Sequence, residues 1–171
     1  SNATGSEQPS ISEEEVRQLE AIPTVDMVIP ELSLHIPAVI GRYKGYIQIV
    51  GITPEAMEKL GYNLGAGRGF SSGDRNVMIA GTQVAMNFEK IGSNNNRRRW
   101  GGWDENQEAP FEMLNQTVKI SFDNNYGERN APKPVVKPPR PTNVTVIGMM
   151  EDKYYETNYR CYMPAETVKK L

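Results

Sequence analysis

This sequence is poor in residues suited to covalent chemistry. It has one histidine, His35, and one cysteine, Cys161, among 171 residues. A lone cysteine closes no internal disulfide, which leaves reducing and oxidising compartments both open. One histidine and one cysteine cannot supply the clustered ligands of a zinc site. No apolar run approaches the ~18 residues of a membrane span, and no signal peptide is present. Neither sign of charge dominates: 19 Lys and Arg against 21 Asp and Glu give a net charge of −2, so no overall field recruits nucleic acid or an anionic membrane. Hydrophobic residues at 38% and charged residues at 23% suit a globular chain rather than a disordered one. The opening Ser1-Asn2-Ala3 reads as a tag-removal scar, and residues 1–11 as a flexible linker. The missing initiator methionine suggests a fragment cut from a longer protein.

Residues 12–22, SEEEVRQLEAI, carry a helix start. Ser12 with Glu15 three later forms a capping box, acidic residues fill the first turn, and Pro23 stops the helix. The period then changes to two, through Val25, Met27 and Ile29 and again through Leu32, Leu34, Ile36 and Ile40. Pro30 and Pro37 cannot donate to a ladder, so this strand is expected to be kinked or to lie at an edge. YIQIVGI returns as the second arm of a hairpin. Thr53-Pro54 opens a short helix that ends at Gly61. NVMIAG reads as a buried strand and TQVAMNFEK as a helix capped by Thr82, with Val84, Ala85 and Phe88 inward. QTVKISFD predicts a strand with Val118, Ile120 and Phe122 on one face. NVTVIGMM and YRCYM are further strands, and Pro164 leads a last helix. Residues 91–114 and 124–142 have no sustained period, and the second holds the Pro-rich KPVVKPPRP, expected to be extended and mobile. Strands outnumber helices and pair largely through hairpins, so the expectation is α+β, with mixed or antiparallel sheets and short helices in two small lobes.

Gly65, Gly67 and Gly69 raise the question of a phosphate cradle. A dinucleotide loop needs G-x-G-x-x-G after a strand and opening a helix, so that backbone N–H groups and the helix dipole meet the anion. Here the spacing is G-x-G-x-G, the glycines follow a helix, and a polar turn comes after them. A nucleotide loop of the Gly-Lys-Ser/Thr type is absent. The glycines are therefore expected to permit positive φ in an irregular link between lobes, with Arg68 and Asp74 pairing or bonding the loop backbone. His35, between Leu34 and Ile36, reads as a half-exposed strand residue, and Cys161 as an inert one. Acidic residues could furnish paired carboxylates, yet no pair stands in an apolar setting that would raise a pKa. No catalytic residue, cofactor or metal ligand is expected. In NNNRRRWGGWDENQE, Arg98, Trp100 and Trp103 are candidate partner contacts, since exposed Trp and Arg favour interfaces. The acids that follow, Asp104 to Glu112, cancel the local charge and disfavour phosphate binding.

Read in order, these segments resemble the extracytoplasmic core domain of MacB/FtsX-type ABC transporter permeases. The resemblance rests on Pro23-Thr24-Val25 after a helix and on Gly51-Ile52-Thr53-Pro54 closing a hairpin. It continues through Gly67, Arg68, Phe70 and Asp74, then Val77, Ile79, Gly81, Val84 and Ala85. Val146-Ile147-Gly148-Met149 and Met163-Pro164 with Thr167 complete it. It covers roughly residues 12–171, as a partial copy, with polar insertions at about 91–114 and 124–142. The family commonly has Gly-Lys where this chain has Asn115-Gln116. The resemblance implies a piece of an efflux permease on the periplasmic or extracellular side of the cytoplasmic membrane. It implies a separate cytoplasmic ATP-binding subunit and a second permease copy or paralogue as partners, with an envelope protein or exported substrate as a further contact. It makes Gly51, Pro54, Gly67, Arg68, Asp74, Gly81, Gly148 and Pro164 motif residues of structural importance. Two other classes are open: a secreted or surface binding module using the Trp100/Trp103 loop, and an enzyme working through carboxylates.

Overall fold

The computed structural model describes residues 12–14, 17, 32–92 and 108–171. The chain divides into two units, residues 1–31 and 32–171. In the first, residues 13, 14 and 17 are helical, inside the stretch where the capping box predicts a helix. The rest of that helix, and the strand expected through Val25, Met27 and Ile29, lie outside the described residues.

The second unit begins with a hairpin. Strand β1 (Leu32–Ile40) pairs antiparallel with β2 (Tyr43–Ile52) in unbroken register, Leu32 opposite Gly51 and Ile40 opposite Tyr43. Gly41 turns the chain at φ +56°. Pro37 sits inside β1, and its carbonyl accepts from Ser121 N at 3.2 Å. Its missing donor faces the same side, where the neighbouring strand β6 (Thr117–Ile120) has already ended. The proline therefore costs the ladder little and does not force β1 to an edge.

Helix α1 (Pro54–Lys59) follows, with Thr53 Oγ1 accepting from Ala56 N at 3.1 Å. Then come β3 (Leu64–Gly67) and β4 (Val77–Ala80), whose residues are all buried. A 3-10 turn (Val84–Asn87) leads into the two-residue β5 (Glu89–Lys90). After β6 come β7 (Thr142–Met150), helix α2 (Tyr155–Asn158), β8 (Arg160–Pro164) and helix α3 (Ala165–Lys169).

All eight strands of the described residues belong to one sheet. Following the pairings from β1 to β6, β7, β4, β8 and β2 leads back to β1, so six strands close into a ring. Two of the pairs, β2–β8 and β4–β7, are parallel. Connections other than the β1–β2 hairpin thus cross over or make long excursions, instead of the hairpins expected. The α+β class, with a mixed sheet and short helices, is what the chain forms.

Period-two patterning dictates what fills the ring. Ile36 faces Ile47, Ala38 faces Ile120, Val118 faces Val144, Met78 faces Val146 and Ala80 faces Cys161. Each of these residues is at most 3% exposed, so alternate positions of all six strands share one interior. Burying each Ile, Val or Met side chain among them contributes about 1.5–3 kcal/mol against exposure. The other face of β2, β4 and β8 carries Val50, Ile79 and Tyr162, also buried, and Ala56 and Met57 are the buried residues of α1.

Three local expectations differ from what forms. TQVAMNFEK makes a single 3-10 turn, because Phe88 is extended and Glu89–Lys90 pair with β2 as β5; before the turn, Gly81 N and Gln83 N bond the carbonyls of Arg160 and Asn158 at 2.8 Å. Thr82 makes no cap there. Phe122 is 53% exposed, since β6 stops at Ile120 and the chain turns as Asp123 N bonds Ser121 Oγ. Leu64–Gly67, expected to be an irregular link, is a strand on β7 with a bulge between Leu64 and Ala66.

Candidate functional site

The motif residues gather where one element crosses another. Gly51 on β2 lies beneath α3: a Cβ there would stand 3.3 Å from Ala165 Cα and Val168 Cβ. Pro54 opens α1. Pro164 ends β8 opposite Ile52 and precedes α3. Gly81 lets α2 close on the end of β4, since a Cβ would strike the carbonyl oxygens of Thr157 and Asn158. Gly67 and Gly148 face each other where β3 meets β7. Gly67 has φ +74°, and a Cβ would collide with Ile147 O; one on Gly148 would lie 2.6 Å from Arg68 O. Only glycine fits either place.

From that crossing the chain enters the loop ending at Asp74. Arg68 N bonds Ile147 O at 3.0 Å. The Arg68 guanidinium meets the Asp74 carboxylate twice, at 2.9 and 3.2 Å, and also donates to Gly69 O at 3.0 Å. Asp74 accepts from Ser71 N at 2.7 Å as well. The loop therefore holds its own anion: the Arg68 guanidinium and Ser71 N–H both bond the Asp74 carboxylate. The Arg68 bonds, followed by the Ser71 N–H, hold the Asp74 carboxyl below its ordinary range, and Asp74 in turn raises Arg68.

Asn115 answers the departure from the family's Gly-Lys. It has φ +68°, in a turn where Gln116 N bonds Met113 O at 3.1 Å and Asn115 N bonds Val146 O at 2.8 Å. The left-handed conformation favours glycine, and asparagine tolerates it better than most other residues.

The two singular nucleophile candidates are set apart. Cys161 is fully buried in the ring between Ile49 and Ala80, and burial pushes its thiol up to about 12. His35 is exposed and stacks on Tyr46 with ring centroids 5.6 Å apart. Arg98, Trp100 and Trp103 lie outside the described residues. Among the described residues no three His, Cys, Asp or Glu side chains form a metal-sized group, and no helix is long and apolar enough to cross a membrane.

Two hollows have no counterpart in the sequence motifs. One, about 480 Å³, is walled mainly by apolar groups including Ala85, Phe111, Met113 and Met150; Thr82, whose buried hydroxyl has no hydrogen-bond partner, also borders it. The other, about 370 Å³, is lined by Leu60, Tyr62, Tyr154, Tyr155, Glu156 and Thr157. Behind it Tyr62 packs on Tyr162 at 5.7 Å. Burial, then Tyr62, raises the Tyr162 phenol, whose hydroxyl meets no partner in hydrogen-bond geometry although Arg160 and Tyr62 lie near enough to affect its ionisation. A signal for this hollow was present: four of the eight tyrosines fall in residues 154–162.

The family model for the MacB-like periplasmic core domain matches residues 1–171. Among solved structures, the fold is similar to the extracellular domain of the ABC-type transporter YknZ from Gram-positive bacteria. The TM-score is 0.55 at 17% identity, over 92% of this chain and 64% of that one. It is also similar to the periplasmic region of MacB from Actinobacillus actinomycetemcomitans, with a TM-score of 0.51 at 18% identity, over 91% of this chain and 55% of that one. This chain thus spans less than two thirds of either. Comparison with curated protein sequences gives no match.

Proposed function

Because this chain belongs to the MacB-like periplasmic core domain family, we propose that it serves as an extracytoplasmic domain of an ABC-type transporter permease and works by movement and contact. Its similarity to extracytoplasmic regions of two ABC transporters supports that setting. In this reading a cytoplasmic ATP-binding subunit drives paired permeases. The domain carries their motion outward to an exported substrate or an envelope partner.

One observation carries the mechanical part: six strands close into a ring, and glycines pack other elements tightly onto it, β3 against β7 at Gly67/Gly148 and α2 against the end of β4 at Gly81. A closed sheet has no free edges to slide, and close-packed interiors transmit displacement without yielding. Such a body moves as a unit, as hinge and rigid-body transitions require. The absence of covalent chemistry is part of the same proposal. Support comes from the two scarce groups: the Cys161 thiol is sealed inside the ring and pushed up to about 12, and His35 is spent on stacking.

The test is distance measurement in the full transporter. Cys161 is buried, so spin labels at added cysteines replacing exposed Glu58 and Lys119 report without interference from it. The distance between the two labels within one domain should stay constant between nucleotide-free and ATP-bound states, while distances between copies change. Constant distances between copies in both states would overturn the reading.

A further inference from the structure

The proline-rich segment and the tyrosine hollow are complementary, and we propose that this chain self-associates by seating residues 132–141 of one copy in the Tyr62/Tyr154/Tyr155 groove of a second copy. The inference rests on the chemistry of the two patches and stands apart from the transporter reading.

The segment PKPVVKPPRP is exposed throughout, and Val135 and Val136 are 103% and 78% exposed. They are the most exposed large apolar side chains among the described residues. Five prolines in ten residues favour an extended polyproline II arm, which has little conformational entropy to lose on binding. Lys133, Lys137 and Arg140 make the arm purely basic.

The groove has the opposite character. Tyr62 and Tyr154 stand 6.3 Å apart at 54°, and Tyr155 is 76% exposed beside Tyr159. Leu60 and Tyr154 are also exposed, at 44% and 41%. Aromatic-lined grooves are the usual receptors of polyproline segments. Glu156 lines the groove, and the flanking EDKYYE carries three acids against one lysine. That lysine, Lys153, already lies 5.3 Å from the Tyr154 ring centre, so the tyrosine face accepts a cation. The groove is also firmly built. Thr157 Oγ1 donates to Tyr154 O at 3.0 Å, Asn158 Nδ2 donates to Asp152 Oδ1 at 2.7 Å, and Gly81 holds α2 from below.

Within one chain the arm does not fill the groove: residues 132–141 are all exposed. The arm leads into Thr142 at the start of β7, whereas the groove adjoins the end of β7 at Met150, about 26 Å along the strand. Val136 reaches only about 20 Å from Thr142 even when fully extended. With arm and groove at opposite ends of one strand, two copies related by a two-fold axis can each supply an arm to the other. The contact then closes as a dimer with both sites used.

The experiment is sedimentation of this chain across a wide concentration range, together with titration of a synthetic peptide of residues 131–142 while tyrosine resonances are followed. We expect a monomer–dimer equilibrium that weakens with salt, and competition by the peptide. Tyr155→Ala, or Val135→Ser with Val136→Ser, should weaken association by roughly tenfold or more, as loss of an interface anchor does. These positions are exposed, so circular dichroism melts at dilutions where the chain is monomeric should be unaltered, and a loss of association cannot be put down to unfolding. A chain that stays monomeric while the peptide moves no tyrosine signal overturns the proposal. So does a dimer indifferent to both variants.

Discussion

Val146 and Val135 lie eleven residues apart in sequence, and one is 0% exposed while the other is 103% exposed. Their chemistry is identical, so hydrophobicity alone does not place a residue inside. Val146 alternates along β7 and meets Met78 on β4, within a ring in which every strand has a partner on both sides. Val135 stands between prolines that cannot donate to a ladder, in a segment without regular structure. The comparison separates what the fold consumes from what it leaves free. Apolar residues on paired strands are used for stability, and those on the proline arm remain available for contact.

The sharpest way to break the ring side is where β3 and α2 press against it. Gly67→Ala would place a methyl group against Ile147 O and force alanine to φ +74°. Overpacking and a left-handed backbone together should cost about 3 kcal/mol or more, measured by chemical denaturation. Gly81→Ala, which drives α2 off β4, should act similarly. A substitution at Gly41, where nothing lies within 4 Å of the added atom, isolates the backbone contribution. If Gly67→Ala cost no more than Gly41→Ala, the crossings would not be the tight points described.

A smaller effect tests the valines directly. Val146→Ala removes buried methyl groups and should destabilise by about 2 kcal/mol, cavity included. Val135→Ala should stay within about 0.5 kcal/mol, as surface changes do. Equal losses would mean that the arm packs on the domain, contrary to its exposure.

This contrast also marks what the sequence made legible. Clean alternation put Val118 and Ile120 on one shared face, and NVTVIGMM declared itself a strand. Thr53-Pro54 declared a helix start, and Gly67 with Arg68 and Asp74 declared a shaped loop. Ring closure was not legible, because period two says which face is buried and nothing about which strands meet. The helix expected over TQVAMNFEK failed for a related reason: Phe88 is extended and Glu89–Lys90 pair with β2, some 45 residues away in sequence. β3 was hidden because glycines weaken strand propensity while permitting the close approach to β7. The tyrosine groove was written in the composition of residues 154–162, but Tyr62 and Leu60 reach it only through the fold.

The mildest test concerns the loop outside the ring. Asp74 is held below the ordinary carboxylate range, first by Arg68 and then by the Ser71 N–H. A carboxylate lowered on folding adds stability that is fully present above its unfolded value of about 3.9 and is lost as pH falls through the lower folded value. Asp74→Asn removes that contribution at neutral pH. The pair is exposed on the Arg68 side and screened by solvent, so the melting temperature should fall by only a few degrees. The gap between wild type and variant should then narrow as pH drops below about 4, where the unfolded chain's carboxylate begins to protonate while the folded one stays charged. Salt should shrink the neutral-pH gap as well, because an exposed pair is screened within about a Debye length. A gap that held constant across pH would assign the Asp74 contribution to the shape of its side chain, and the loop would then owe its form to packing, like the ring it leaves.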